Sequence, residues 1–307
     1  MFPNISGTTQ QYLADLDRTE TQLQTTTTDI SSGIDVQQPS DDPAAIAEIL
    51  QTETAIANNK QIQSNLSNVT AEVDSADSAL QTAVQAVESA ISLATEGATS
   101  TATADTRTTL AQQVAGIQQT LVGIAQTTVN GRYIFSGDQD TQPPYQLDPS
   151  QPDGVLQLVT GASTRTIQSV DGTSFAVALT AQQIFDARNP DTTPASGNVF
   201  VAIQNLETAL TNNDTAGITA AASSLQSASS YLNDQLAFYG EVENRVSEAS
   251  DLATKFQTQE QTTLGNLQDT DIPTAATELT QLQTQQQASM SVEASVEQMK
   301  NLFSYLA

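Results

Sequence analysis

Apolar residues recur at spacings of three and four along both halves of the chain, and this pattern predicts long helices that pair through an apolar seam. From about residue 44 to residue 96, two interleaved rows repeat every seven residues, which predicts one long helix facing another. These rows are Leu66, Val73, Leu80, Val87 and Ala94, and Ile62, Val69, Ala76, Ala83 and Ala90. A second long helix is predicted after residue 214, with the rows Leu225, Leu232, Tyr239, Val246 and Ala253, and Ala228, Val242, Ala249 and Phe256.

The two ends of the chain carry a weaker version of the same pattern. Leu16, Leu23 and Ile30 lie seven residues apart, but the threonines at 25–28 favour helix poorly because branching at Cβ restricts χ1. The predicted terminal helix is apolar up to its last residue, so an isolated chain would expose an apolar stripe. Both ends therefore need a partner, and we expect them to form an assembly interface. Its candidate residues are Leu13, Leu16, Leu23, Ile30, Val296, Met299, Leu302, Phe303 and Leu306.

The period changes from helical to alternating after Asn130-Gly131, and short strands are predicted from there to residue 198. Asp153-Gly154 and Asp171-Gly172 are turn dipeptides within this segment. The predicted strands cover residues 133–135, 155–159, 165–170 and 174–179. We interpret residues 131–198 as a small β-rich insertion between helical segments.

The fold class that follows is mainly α: a long antiparallel helical bundle or coiled coil formed by both chain ends, with a small inserted β-rich domain. Three domains are expected, and the first two are each built from two separate segments. They are a terminal coiled-coil polymerisation domain (1–43 with 272–307), a helical rod domain (44–130 with 199–271) and the inserted β-rich domain (131–198).

Composition narrows the chemistry that the 307 residues can perform. The chain has no His and no Cys, which excludes the usual zinc sites, Ser-His or Cys-His nucleophiles and disulfides. We therefore expect no catalytic residue, no cofactor and no metal. With 9 Lys plus Arg against 35 Asp plus Glu, the net charge of -26 opposes binding to nucleic acid or to anionic lipid. No run of about 18 apolar residues occurs, so no membrane insertion is expected, and residues 1–7 lack the pattern of a Sec signal peptide.

Several aspartates allow a functional interpretation beside a structural one. Asp138 and Asp140 have the spacing of a partial calcium loop, but they lack its glycine and distal glutamate. Carboxylates such as Asp269 and Asp271 could form a catalytic pair, although a helix start is the simpler interpretation. Asp42 before a proline is likewise typical of a helix start, and an intersubunit contact at that loop stays open beside it.

Three parts of the chain carry a specific resemblance. Ile30-Ser31-Ser32-Gly33 and Pro39-Ser40-Asp41-Asp42-Pro43-Ala44 resemble the N-terminal signature of the flagellin superfamily. Residues 275–307 are similar to its C-terminal segment. Within the superfamily, Asn130-Gly131-Arg132-Tyr133-Ile134-Phe135-Ser136-Gly137 and Pro143-Pro144-Tyr145 are more similar to hook–filament junction proteins than to flagellin.

The resemblance implies a structural subunit of the bacterial flagellum, an adaptor that joins hook to filament and assembles through its coiled-coil ends. It implies self-association into a ring, with a hook-associated protein on the hook side and flagellin on the filament side. It also implies a secreted, extracellular protein that is transiently cytoplasmic before type III export, with an export chaperone for the C-terminal helix. At residues 34–38 the superfamily usually has basic residues, which are absent here, so no basic contact is expected at that loop.

Three other functions stay open from the sequence. A short flagellin that forms the filament itself would have the same helical ends. A secreted coiled-coil binding module would have protease-resistant ends as a monomer. A carboxylate-based hydrolase would require Asp138, Asp140, Asp269 and Asp271 for activity.

Overall fold

A computed structural model describes the backbone of residues 7–305 and the side chains of residues 10–295. The described chain is mainly helical, as predicted. Its helices are α1 (Gly7–Ser32), α2 (Ile46–Ala98), α3 (Ala104–Ala125), α4 (Ala181–Phe185), α5 (Val199–Thr211), α6 (Thr215–Gln268) and α7 (Ile272–Tyr305). Its strands are β1 (Thr128–Val129), β2 (Arg132–Tyr133), β3 (Tyr145–Leu147), β4 (Val155–Gln157), β5 (Thr166–Gln168) and β6 (Ser174–Ala176).

The chain divides into two compact units. A terminal unit contains the described residues up to 58 together with those from 257 onward, and a central unit contains residues 59–256. The terminal unit thus takes in the start of α2 and the end of α6, beyond the predicted domain edges at residues 43 and 272. The division into three domains stays a prediction.

The predicted seams of the long helices form the core of the central unit. The row from Leu66 to Ala94 on α2 is fully buried, as is the row from Leu225 to Ala253 on α6, and both belong to one hydrophobic cluster. Asn59 on α2 donates from Nδ2 to the carbonyl oxygen of Ala253 at 2.9 Å. Phe256 was expected to continue the second row, but its side chain is 42% exposed because it lies where this unit ends.

A buried arginine joins three elements at the far end of α2. Arg107, near the start of α3, donates from Nε to the carbonyl oxygen of Gly97 at 2.7 Å and from Nη2 to that of Thr99 at 3.1 Å. Its Nη1 reaches Oδ1 of Asn213, in the turn between α5 and α6. The last carbonyls of a helix carry partial negative charge and have no partner within the helix, so the guanidinium satisfies them while its own charge is stabilised.

The predicted β-rich segment folds into three separate antiparallel hairpins: β1 with β2, β3 with β4, and β5 with β6. Asn130 and Gly131 both have positive φ, 52° and 76°, which suits the tight turn between β1 and β2. The strands are shorter than predicted, and β3 was not predicted at all. Helix α3 ends at residue 125, and Thr128 and Val129 pair with β2, so the first hairpin begins just before the predicted insertion.

The hairpins pack on an aromatic core in the central unit. The rings of Phe135 and Phe185 lie edge to face with centroids 6.3 Å apart, and Phe135 meets Tyr239 in the same way at 6.4 Å. Tyr145 of β3 packs against Phe200 of α5 at 5.1 Å. Because each ring buries a large apolar area, these aromatic residues help to hold the short hairpins against the helices.

A fully buried carboxylate, Asp186, lies beside this core and has partners on both oxygens. Tyr145 donates its hydroxyl to Oδ2 at 3.0 Å, Arg188 donates Nε to the same oxygen at 2.9 Å, and Asn198 donates Nδ2 to Oδ1 at 2.6 Å. Burial, reinforced by the Asp186 charge, raises the pKa of the Tyr145 hydroxyl, so the phenol stays protonated as a donor. The network connects β3, α4 and the start of α5.

Candidate assembly interface

Helices α1 and α7 pair antiparallel in the terminal unit. Tyr12, near the start of α1, donates its hydroxyl to the carbonyl oxygen of Ser289 at 2.8 Å, while Gln286 donates to Glu20 at 3.5 Å. On α1 the inward positions follow a four-three spacing of Tyr12, Leu16, Thr19, Leu23, Thr26 and Ile30. On α7 the corresponding positions are Ala275, Leu279, Leu282, Gln286 and Ser289. These two rows are called the terminal seam below.

Polar residues occupy every second inward position of α1. Thr19 and Thr26 are buried in the terminal seam, whereas Leu16, Leu23 and Ile30 are only half-buried. The hydroxyl of Thr19 donates to the carbonyl oxygen of Asp15 in its own helix at 2.9 Å. This bond satisfies the hydroxyl locally, but a threonine contributes less apolar area than a leucine would. The terminal seam is therefore weakly apolar for its length.

The break after α1 and the break between α6 and α7 are hydrogen-bonded to each other. Ile34 forms an antiparallel bridge with Asp269, the amide of Thr270 donates to the carbonyl oxygen of Gly33 at 3.0 Å, and the amide of Asp35 donates to that of Gln268 at 2.8 Å. Gly33 follows the last residue of α1 with φ of 74°, a left-handed conformation that suits glycine at a helix end. We call this pairing of the two breaks the junction.

The aspartate-rich loop before α2 has the structural role that its sequence predicts. Oδ1 of Asp42 accepts the amides of Ala44 and Ala45 at 2.9 and 3.1 Å, which caps the helical turn leading into α2. Oδ2 of Asp41 accepts the amides of Gln37 and Gln38 at 3.0 and 2.7 Å, which closes the loop. An intersubunit contact at this loop stays a prediction.

The candidate assembly residues fall into three groups. Leu16, Leu23 and Ile30 lie in the terminal seam and stay half-buried, while Leu13 is 46% exposed. The side chains of Val296, Met299, Leu302 and Phe303, and the whole of Leu306, lie outside the described residues. Two exposed apolar residues of α7, Met290 and Val292, were not among the candidates. Both are apolar residues in a largely polar stretch of sequence, and this contrast was the signal that could have pointed to them as candidates.

The aspartates that allowed a chemical interpretation have structural partners. Asp138 accepts the amide of Thr164 at 3.0 Å, Asp140 pairs with Arg132 at 3.0 Å, and Asp271 accepts the hydroxyl of Thr274 at 2.8 Å at the start of α7. Within the described residues, no three His, Cys, Asp or Glu side chains are grouped so as to hold a metal ion. No described helix is both long and apolar enough to cross a membrane.

Solved structures of flagellar proteins share this fold. A putative flagellar hook-associated protein from Vibrio parahaemolyticus matches with a TM-score of 0.64 and 18% identity, covering 75% of this chain and 100% of its own. Hook-associated protein 3 from Legionella pneumophila matches at 0.62 and 15%, covering 71% and 98%. FlgL from Bacillus cereus matches at 0.56 and 14%, covering 70% and 99%. No match was found among curated protein sequences.

Family models match both helical ends of the sequence. The bacterial flagellin N-terminal helical region matches residues 4–140, and the bacterial flagellin C-terminal helical region matches residues 215–306. The two matched segments contain both rows of the terminal seam and both long helices of the central unit, and the inserted hairpins lie largely between them. The chain therefore belongs to the bacterial flagellin family of structural flagellar components.

Proposed function

We propose that this protein is the structural subunit that joins the flagellar hook to the filament. The observation that carries the proposal is the terminal seam, which pairs both ends of the chain but leaves Leu16, Leu23 and Ile30 of α1 only half-buried. The fold shared with hook-associated proteins supports the junction role over that of a filament subunit. The β2 segment, whose sequence is more similar to junction proteins than to flagellin, supports it as well.

Contacts between chains would bury apolar residues that a single chain leaves exposed. Fully burying a leucine-sized side chain is worth about 1.5–3 kcal/mol, so contacts at Leu13, Met290 and Val292 would offset the entropy lost when the ends become ordered. Copies of the chain would form a ring in this way, with Leu16, Leu23, Ile30 and the apolar residues from Val296 to Leu306 sharing the interface. The expected role is structural and not enzymatic.

The proposed neighbours of the ring are a hook-associated protein on the hook side and flagellin on the filament side. The protein would pass from the cytoplasm to the extracellular flagellum by type III export. The apolar residues between Val296 and Leu306 would need a chaperone before export, because apolar surface that is exposed before assembly favours aggregation.

Electron microscopy of cells that lack the gene, combined with an assay for flagellin in the medium, tests the junction role. We expect bare hooks and flagellin lost to the medium, because export continues while the filament has no foundation. Normal filaments would contradict the proposal and favour a coiled-coil binding module. Missing filaments without flagellin in the medium would instead identify the chain as the flagellin.

A pair of variants tests the proposed interface itself. Leu13→Asn changes a leucine that is already exposed in the single chain, so we expect it to leave the fold intact and to reduce recovery of swimming in the deletion strain. Gln11→Asn changes an exposed polar neighbour on the same helix and should restore swimming fully. Full recovery with both variants would remove Leu13 from the interface.

A further inference from the structure

Asp29 is a buried carboxylate in an unfavourable electrostatic environment. It is 9% exposed and lies in the last turn of α1, where the helix dipole is negative and no basic residue is present. The charged groups that face it are Asp35 and Asp41 from the loop after α1 and Glu278 from α7. Burial first, and these three carboxylates second, raise the pKa of Asp29 above its ordinary value.

The side-chain amide of Gln37 is a hydrogen-bond donor near the Asp29 carboxylate. Nε2 of Gln37 approaches Oδ1 of Asp29 at 3.4 Å, which is long for a hydrogen bond to a charged group. The same Nε2 also approaches Oγ of Ser32 at 2.9 Å and the carbonyl oxygen of Ile34 at 3.1 Å. A shared and distant donor stabilises the ionised form of Asp29 only weakly.

The backbone of Asp29 is at the same time part of the junction. Its carbonyl oxygen accepts the amide of Gly33 at 2.8 Å, which ends α1, and the hydroxyl of Thr270 at 3.2 Å, which belongs to the break between α6 and α7. A charge on the Asp29 side chain therefore acts at the point where the N-terminal and C-terminal segments of the terminal unit are tied together.

We propose that the junction is a proton-sensitive latch, in which protonation of the buried Asp29 carboxyl removes an unpaired charge and its repulsion by three exposed carboxylates, and so strengthens the attachment of α1 to the break between α6 and α7. This property concerns the terminal unit of a single chain and does not depend on the hook–filament role. Mild acid would favour the ordered form of the two chain ends, and neutral or basic pH would loosen it.

The direction of the effect follows from linkage. The pKa of Asp29 is higher in the folded unit than in the unfolded chain, so the folded form binds the proton more tightly. The stabilisation is complete below the unfolded pKa and is lost as the pH rises through the folded pKa.

Aspartates of the central unit respond in the opposite direction. Asp171 and Asp191 each accept the hydroxyl and the amide of the threonine two residues later, and Asp148 does the same with Ser150. These hydrogen bonds lower the pKa of all three carboxyls. Their contribution to stability is present above the unfolded pKa and is lost as the pH falls through the folded pKa. Acid should therefore strengthen the junction while it weakens these turns.

Hydrogen exchange on the full-length, unassembled chain tests the latch. Protection factors, corrected for the intrinsic exchange rate at each pH, would be compared at about pH 7.5 and about pH 5, above the sequence pI of ≈ 4.1. In the wild type we expect protection at residues 29–36 and 268–275 to rise on acidification, because the folded form binds the proton more tightly. D29N should show higher protection than the wild type at the upper pH and no further rise. D17N, which removes an exposed carboxylate of the same helix, should keep the wild-type response.

An absent or reversed response in the wild type, or an undiminished response in D29N, would overturn the latch. Because D29N could also fail to form the junction, a second measurement uses the wild type alone. The carboxyl titration of Asp29, followed by ¹³C NMR in the full chain, should have its midpoint above the ordinary value of 3.8. A midpoint at or below that value would overturn the proposal whatever the variant does.

Discussion

The seam between α2 and α6 in the central unit and the terminal seam between α1 and α7 follow the same kind of spacing but differ in content. The rows from Leu66 to Ala94 on α2 and from Leu225 to Ala253 on α6 consist of leucine, valine, alanine and one tyrosine, and all of these residues are buried. In the terminal seam, threonine alternates with leucine on α1, and glutamine and serine follow leucine on α7. Equal spacing therefore produces a closed core in one region and a half-covered surface in the other.

The difference teaches that periodicity sets which residues face a neighbouring helix, whereas side-chain area sets how stable the pair is. A buried apolar seam supplies stability to the single chain, because transfer free energy scales with the apolar area removed from water. A seam with polar members gains less, and the leucines of α1 stay half-buried in the single chain. Substitutions in each region test this difference.

The largest effect is expected from a substitution that leaves a cavity in the core of the central unit. Leu80→Ala removes a fully buried side chain and should lower the free energy of unfolding of the central unit by about 2–5 kcal/mol. Leu23→Ala, at a half-buried position of the terminal seam, should cost the unassembled chain about 1 kcal/mol or less. Urea unfolding, followed by hydrogen exchange in each unit, measures both values. Equal losses would mean that the two seams are equally closed.

A smaller loss is expected at the end of α2. Arg107→Met removes the donor to the buried carbonyl of Gly97 and one of the donors to the carbonyl of Thr99, and it should cost about 1–3 kcal/mol. Arg132→Met removes an arginine whose ion pair with Asp140 is exposed, and such pairs are worth about 0–1 kcal/mol. If thermal unfolding showed the same loss of stability for both variants, the hydrogen bonds of Arg107 would contribute no more than an exposed ion pair does.

The smallest effect is a gain, and it tests the terminal seam directly. Thr26→Val replaces a buried hydroxyl with a methyl group and should stabilise the pairing of α1 with α7 by about 1 kcal/mol. Thr28→Val makes the same exchange at an exposed position of α1 and should change little. Hydrogen exchange of residues 10–32 reports the gain. A loss with Thr26→Val would show that polarity in the seam stabilises the pair.

Much of the fold could be predicted because its signals are local. The long rows on α2 and α6 were predicted correctly apart from the half-buried Ile62 and the exposed Phe256, and the helix starts at Asp42 and Asp271 were predicted as well. Strand β3 was missed, because it follows two prolines and its three residues are too few to establish an alternating pattern. The candidate assembly residues stay a prediction, and the exposed Met290 and Val292 were not among them.

From the sequence alone it was possible to predict the two long helices, most residues of the faces that meet, the helix starts at Asp42 and Asp271, and the resemblance to the flagellin superfamily. These properties follow from repeats and caps that act within a few residues. Only the tertiary structure decided that the strands form three separate hairpins, that Asp186 is buried with three donors, and that Asp29 lies among Asp35, Asp41 and Glu278. Those outcomes depend on which residues far apart in the sequence come together, because burial and nearby charge, and not the identity of an aspartate, set its partners and its affinity for a proton.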